Sequence, residues 1–171
     1  MSSTSEIRRL GPEDIETYRA IRVEMLADTP ASFGSSPESD RCSDPAFIRE
    51  IVTHPVNGLF AYFDAEGACQ SVAGLVRMTG SKRSHVVQVY GVYTRPGARR
   101  QGHGRRVMEA VLDYAAKLEG VEIAGLSVSS EAPAAQAMYE AQGFEAWGRE
   151  PQALRIGDRR PAEIHMWRPM P

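Results

Sequence analysis

Lysine is nearly missing from this chain: of 20 basic residues only Lys82 and Lys117 are lysines, and the rest are arginines. Cysteine is scarce as well. Cys42 and Cys69 lie far apart without metal-ligand spacing, so reduced thiols in a cytoplasm are expected rather than a disulfide framework. The four histidines (His54, His85, His103, His165) show no H-E-x-x-H or paired spacing, so no metal site is expected. No apolar run reaches the roughly 18 residues of a membrane span. The polar stretch Met1–Arg9 lacks the apolar segment of a signal peptide. Neither a G-x-S-x-G elbow nor a G-x-x-x-x-G-K-[ST] loop is present, which takes most of the weight from the serine-hydrolase and P-loop readings. A basic excess is also lacking. Acids number 22 against 20 bases, whereas a protein that holds nucleic acid by its overall field is more basic.

What remains is a chain of 171 residues with 42% hydrophobic and 25% charged residues, a composition that fits one globular domain spanning 1–171. A short strand at Glu6–Leu10 precedes Pro12, Glu13 and Asp14, which suit a helix first turn. Ile15, Tyr18, Ile21, Val23, Met25 and Leu26 carry that helix to about Ala27. A loop over Thr29–Asp44 follows, and Phe47, Ile48, Ile51 and Val52 form the face of a second helix. Strands are predicted at Leu59–Phe63, Ser71–Met78 and Val86–Tyr93, the third interrupted by Gly91, the mark of a bulge. Val107, Met108, Val111, Leu112, Ala115 and Leu118 share one face of a long helix that Gly120 ends. Val121–Val128 is a strand covered on both sides, and Pro133–Gln142 is a helix stopped by Gly143. Phe144–Ile156 and Glu163–Trp167 read as a hairpin about Gly157-Asp158. The mixture predicts an α/β (α+β) fold with a central sheet.

The stretch Arg95–Arg106 holds five arginines (95, 99, 100, 105, 106) and no acid. It lies between the third strand and the long helix, where the helix dipole disfavours cations unless an anion is bound. Gly102 and Gly104 bare backbone N–H groups there, so strand, glycine turn, helix N-terminus and arginines together describe a phosphate cradle. A dinucleotide fingerprint fails, because its third glycine is Val107 here.

Arg99-x-x-Gly102-x-Gly104 resembles the R/Q-x-x-G-x-G/A acyl-CoA loop of the GNAT N-acetyltransferases. Ala135-x-x-Met138-Tyr139-x-x-x-Gly143-Phe144 is similar to the family's A-x-x-L-Y-x-x-x-G-F, and Glu163–Met166 looks like its last strand. The resemblance covers nearly the whole chain and implies a mostly antiparallel central sheet flanked by helices. It also implies that acetyl-CoA is the co-substrate. Arg99, Arg100, Gln101, Gly102, His103, Gly104 and Arg105 would hold its pyrophosphate, and Val92, Tyr93 and Thr94 would pair with its pantetheine arm. A primary amine would attack the thioester directly, a backbone N–H of the third strand would stabilise the oxyanion, and Tyr139 would protonate the thiolate.

Two positions depart from the family pattern. Gln88 stands where many members carry a glutamate base, and Ala132 stands where an asparagine often contacts pantetheine. Tyr90 shares a strand face with Gln88, and His85 has the opposite parity. Phe33, Gln88 and Tyr90 are candidates for acceptor contact, and Trp147 on the last hairpin is another. The acceptor is open among small amines, amino acids, antibiotics and peptide N-termini. A homodimer is common in the family, and no nucleic-acid or membrane partner is expected. The competing reading, motivated by Gln88 and Ala132, is a non-catalytic CoA-binding sensor on the same fold.

Overall fold

A computed structural model describes residues 4–171. The first strand, β1 (Glu6–Arg9), leads through a 3-10 turn at Pro12–Asp14 into helix α1 (Ile15–Asp28). A loop with two further 3-10 turns reaches α2 (Pro45–Thr53), whose start is capped by the Asp44 carboxylate accepting from the Ala46 N–H at 2.9 Å. Then come β2 (Gly58–Phe63), β3 (Cys69–Arg77), β4 (Val86–Thr94), α3 (His103–Ala115), β5 (Ile123–Ser129), α4 (Pro133–Glu140), β6 (Glu145–Glu150) and β7 (Glu163–Pro169). Gly120 and Gly143 follow α3 and α4 at φ +73° and +84°, a region open to glycine without strain.

The seven strands form one sheet in the order β1-β2-β3-β4-β5-β7-β6, antiparallel at every junction except the parallel pair β4–β5. That pair is short. It holds only from Val86–Ile123 to Gln88–Gly125, after which the two strands separate. The cause lies on the other side of β4. Gly91 adopts φ +59°, and the register with β3 slips between Val72–Tyr93 and Gly74–Tyr90, the bulge read from the sequence. From Val89 onward β4 therefore has no strand on its β5 side, and a wedge opens in the middle of the sheet.

Two apolar layers close the faces. The α3 residues Val107, Met108, Val111, Leu112 and Ala115 pack on Leu75, Val87, Val89, Ala124 and Leu126, joined by Tyr139 of α4. On the opposite face Ile15, Tyr18, Ile21, Met25 and Leu26 of α1 and Ile48 and Val52 of α2 cover Leu59, Ala61, Val72 and Tyr93. Three expectations fail here. The fifth strand is not covered on both sides: one face of β5 is open, with Ser127 exposed on it. Val23 is 60% exposed, while its neighbour Arg22 is buried and donates from Nε and Nη2 to both oxygens of Asp40 at 3.0 and 2.9 Å. The charge is tolerated inside because its partner is buried with it. The last hairpin is also shorter than expected: β6 ends at Glu150, and Gln152 at φ +54° turns the chain before Ile156 bridges Arg159.

Asp14 anchors the start of α1. Its carboxylate accepts from Arg8 at 2.6 and 2.8 Å and from the Gly11 N–H at 2.9 Å. The Arg8 bond, followed by the Gly11 bond, holds the carboxyl below its ordinary value. A carboxylate with a depressed folded pKa stabilises the protein above the unfolded value of about 3.9 and loses that contribution as pH falls through the folded value. Asp14→Asn is therefore expected to lower the melting temperature at pH 7, with the deficit shrinking below about pH 4. A deficit constant across a pH series of thermal scans would dismiss the ionic account.

Candidate functional site

The connection from β4 to α3 takes a 3-10 turn at Pro96–Ala98 and then two left-handed residues, Arg100 at φ +59° and Gly102 at φ +80°. Gly102 is the N-cap of α3 and has no side chain to satisfy the first turn. Among the described residues, the N–H groups of Arg100 through Arg105 find no acceptor within the chain. They form a donor row at the positive end of a 13-residue helix. A Cβ on Gly104 would stand 3.0 Å from the Thr94 hydroxyl and 3.6 Å from the Met138 sulfur, so the helix start closes tightly on β4 and α4.

The arginines behave differently from the sequence expectation that all five require an anion. Arg95 donates from Nε and Nη2 to the two Glu24 oxygens at 2.7 Å each. Arg99 pairs with Asp28 and donates to the Thr94 carbonyl at 3.0 Å, and Arg105 pairs with Glu109 at 2.8 Å. Acids on α1 and α3 thus offset three of the charges. Arg100 and Arg106 have no ion pair among the described residues, and Arg106 lies over the Tyr62 ring at 5.4 Å. The same Asp28 accepts from the Tyr93 hydroxyl at 3.1 Å. Burial and that bond raise the Tyr93 hydroxyl to about 12.

The donor row opens into a cleft of about 770 Å³ that follows the free edge of β4 through the wedge. Tyr139 lines it from α4 and is 5% exposed. Its ring meets Phe144 edge-on at 6.1 Å, and its hydroxyl has no hydrogen-bond partner among the described residues. Burial pushes that hydroxyl well above the ordinary tyrosine value, so it stays protonated throughout the neutral range.

A model of the Acetyltransferase (GNAT) family matches residues 20–144. The chain belongs to the GNAT acetyltransferase family. Comparison with curated protein sequences gives no match. Solved structures share the fold at low identity. A GNAT-family acetyltransferase from Streptococcus pneumoniae superposes with a TM-score of 0.86 at 14% identity, covering 98% of this chain and 99% of that one. For yncA from Salmonella typhimurium, solved with acetyl-CoA, the values are 0.85 and 17%, with 99% and 95% covered. For a phosphinothricin acetyltransferase from Sinorhizobium meliloti in complex with AcCoA they are 0.83 and 19%, with 98% and 89% covered.

Within this GNAT fold, the residues singled out from the sequence divide between two cavities. Val92, Tyr93, Thr94, Arg99, Arg100, Gly102, His103, Gly104, Arg105 and Tyr139 all line the cleft, as do Phe33, Tyr90 and Ala132. Burial raises the Tyr90 hydroxyl to about 12. Gln101 does not line the cleft; its side-chain amide donates to the Gly97 carbonyl at 3.1 Å. Gln88 also lies outside it. The end of its side chain would meet a Cβ on Gly125 at 2.7 Å, and it lines a separate groove together with Trp147, His165 and Trp167. Parity assigns Gln88 and Tyr90 to one face but not to one cavity, because the wedge begins between them. The β5 residues Leu126, Ser127, Val128 and Ser129 also line the cleft, and no local motif marks them.

Proposed function

We propose that the chain is an N-acetyltransferase domain, 1–171, that moves an acetyl group from acetyl-CoA to the primary amine of a small molecule or peptide by direct attack. The observation that carries this reading is the continuity of the cleft from the bare N–H row at α3, along the unpaired edge of β4, to the Tyr139 hydroxyl. The row suits a pyrophosphate, and the strand edge suits the amides of a pantetheine arm. A β4 N–H aimed into the wedge would meet the oxyanion that forms when the amine adds to the thioester carbonyl. Collapse of that adduct forms the amide and expels the thiolate, which takes a proton from Tyr139. A thiolate is a weaker base than a phenolate, and burial widens the gap for Tyr139, so the transfer depends on the nascent thiolate being made more basic by desolvation in the same cleft.

Ligand that binds only the folded state stabilises by mass action, about 2.7 kcal/mol at a hundredfold excess over Kd. For a chain of this size that corresponds to a rise in melting temperature of roughly 5–10 °C. Millimolar acetyl-CoA is expected to give such a rise in a thermal scan, and an amine panel with thiol detection is expected to give acetyl-CoA-dependent release. A scan without a shift would end the cofactor assignment. A shift with no thiol release over a broad panel would favour the sensor reading.

A further inference from the structure

Gln88 has no group that can take up a proton at neutral pH, but the sheet places one that can on the same face. Gln88 and Gly125 form the last β4–β5 pair, and Ser127 is the next β5 residue of that parity, at the point where the strands part. Its side chain is exposed and lines both the acetyl-CoA cleft and the groove on the uncovered face of β5, β7 and β6. Ser127 pairs with His165 across β5 and β7, and the Ser127 Oγ lies 2.8 Å from His165 Nδ1. The other ring nitrogen, Nε2, faces the Glu150 carboxylate of β6 at 3.4 Å. The Trp147 ring lies against the imidazole, centroids 5.4 Å apart and planes 28° apart. In the tautomer with its proton on Nε2, toward Glu150, the ring presents the Nδ1 lone pair to the Ser127 hydroxyl, and this is the tautomer the relay uses.

We infer that Ser127, His165 and Glu150 form the proton relay that deprotonates the acceptor amine. The inference rests on the acetyl-CoA reading above. An acceptor that arrives as ammonium gives one proton to Ser127 Oγ while the Ser127 proton passes to His165 Nδ1, and the neutral amine then forms its bond to the acetyl carbon. The resulting imidazolium faces the Glu150 carboxylate, and collapse breaks the C–S bond with Tyr139 supplying the proton to sulfur and the excess proton of the adduct nitrogen restoring Tyr139. Base and acid then stand on opposite faces of the sheet with the wedge between them, Tyr139 packing with the α3 layer and Ser127 facing the open side. His165 is in reach of solvent, its side chain 27% exposed, so the proton has an exit to water. Ser127 is the catalytic residue of the three because it alone touches the reacting amine; His165 and Glu150 act through it. The charged groups around the imidazole are Glu150, its cross-strand neighbour Glu163 and, across the groove, Arg83, with the uncharged Gln88 beside them.

The test follows thiol release from acetyl-CoA between pH 6 and pH 9 for wild type, Ser127→Ala, His165→Gln and Glu150→Gln. One arm uses the fastest amine of the panel, and a second uses water as the only nucleophile. At pH 7 the Ser127 and His165 variants are expected to lose about 10²-fold in rate, the lower range of general-base effects. Their deficit should narrow toward pH 9 as the amine arrives neutral, and Glu150→Gln should show a smaller loss of the same form. The rise in melting temperature with acetyl-CoA should be unchanged in all three. A deficit constant across pH, variants as fast as wild type, or a wild type that binds acetyl-CoA yet releases thiol in neither arm would overturn the relay. Loss of the acetyl-CoA shift in wild type would instead overturn the cofactor assignment.

Discussion

Tyr139→Phe is expected to lower turnover by about 10²-fold and to leave the acetyl-CoA-induced rise in melting temperature intact. The substitution keeps the ring, and with it the edge contact to Phe144 and the packing against the α3 layer. It removes only a hydroxyl that has no partner among the described residues, so no buried group is orphaned and folding stability should change little. Burial raises that hydroxyl, which fits a proton donor and rules it out as a base at neutral pH. It follows that no alkaline limb below about pH 10 belongs to this residue. Steady-state rates measured by thiol detection, paired with thermal scans of the same samples, separate chemistry from binding. Unchanged turnover would remove Tyr139 from the reaction.

Gly104→Asp should have the larger effect on binding, abolishing the acetyl-CoA shift while leaving the apo protein folded with little change in melting temperature. An acid in the first turn of α3 complements the helix dipole by about 0.3–1 kcal/mol, and Gly104 has ordinary helical backbone that any residue adopts. The added Cβ must displace the Thr94 hydroxyl from 3.0 Å, at the expense of its 2.9 Å hydrogen bond with the Ser71 hydroxyl, a loss that offsets the dipole gain. The carboxylate then occupies the donor row and sets a negative charge where a pyrophosphate would lie. Calorimetry of the variant with acetyl-CoA should show a Kd weakened at least a hundredfold. Retained affinity would place the anion elsewhere than the α3 N-terminus.

The parts of the site that lie close in sequence were readable because each has a local cause. Gly91 in a run of valine and tyrosine announced the bulge, and Gly102 and Gly104 ahead of a helical period announced the donor row. Contacts across the sheet were not readable. The pairing of β4 with β5 lasts three residues, and nothing in either strand says where it stops. That stopping point decides that Tyr90 enters the cleft and Gln88 does not. Glu24 and Asp28 sit on α1, 71 positions before the arginines they neutralise, so the local charge excess looked larger than it is. Likewise, Ser127, His165 and Glu150 meet only because β7 lies between β5 and β6, an order that chain sequence does not dictate.

The uncovered face beyond the wedge has an optical consequence. Both tryptophans of the chain, Trp147 and Trp167, are on it, 67% and 37% exposed, and neither lines the cleft along β4. Intrinsic tryptophan emission is thus a private channel for that face: an occupant of the groove will shift or quench it directly, while the β4 cleft next door contributes no indole signal of its own.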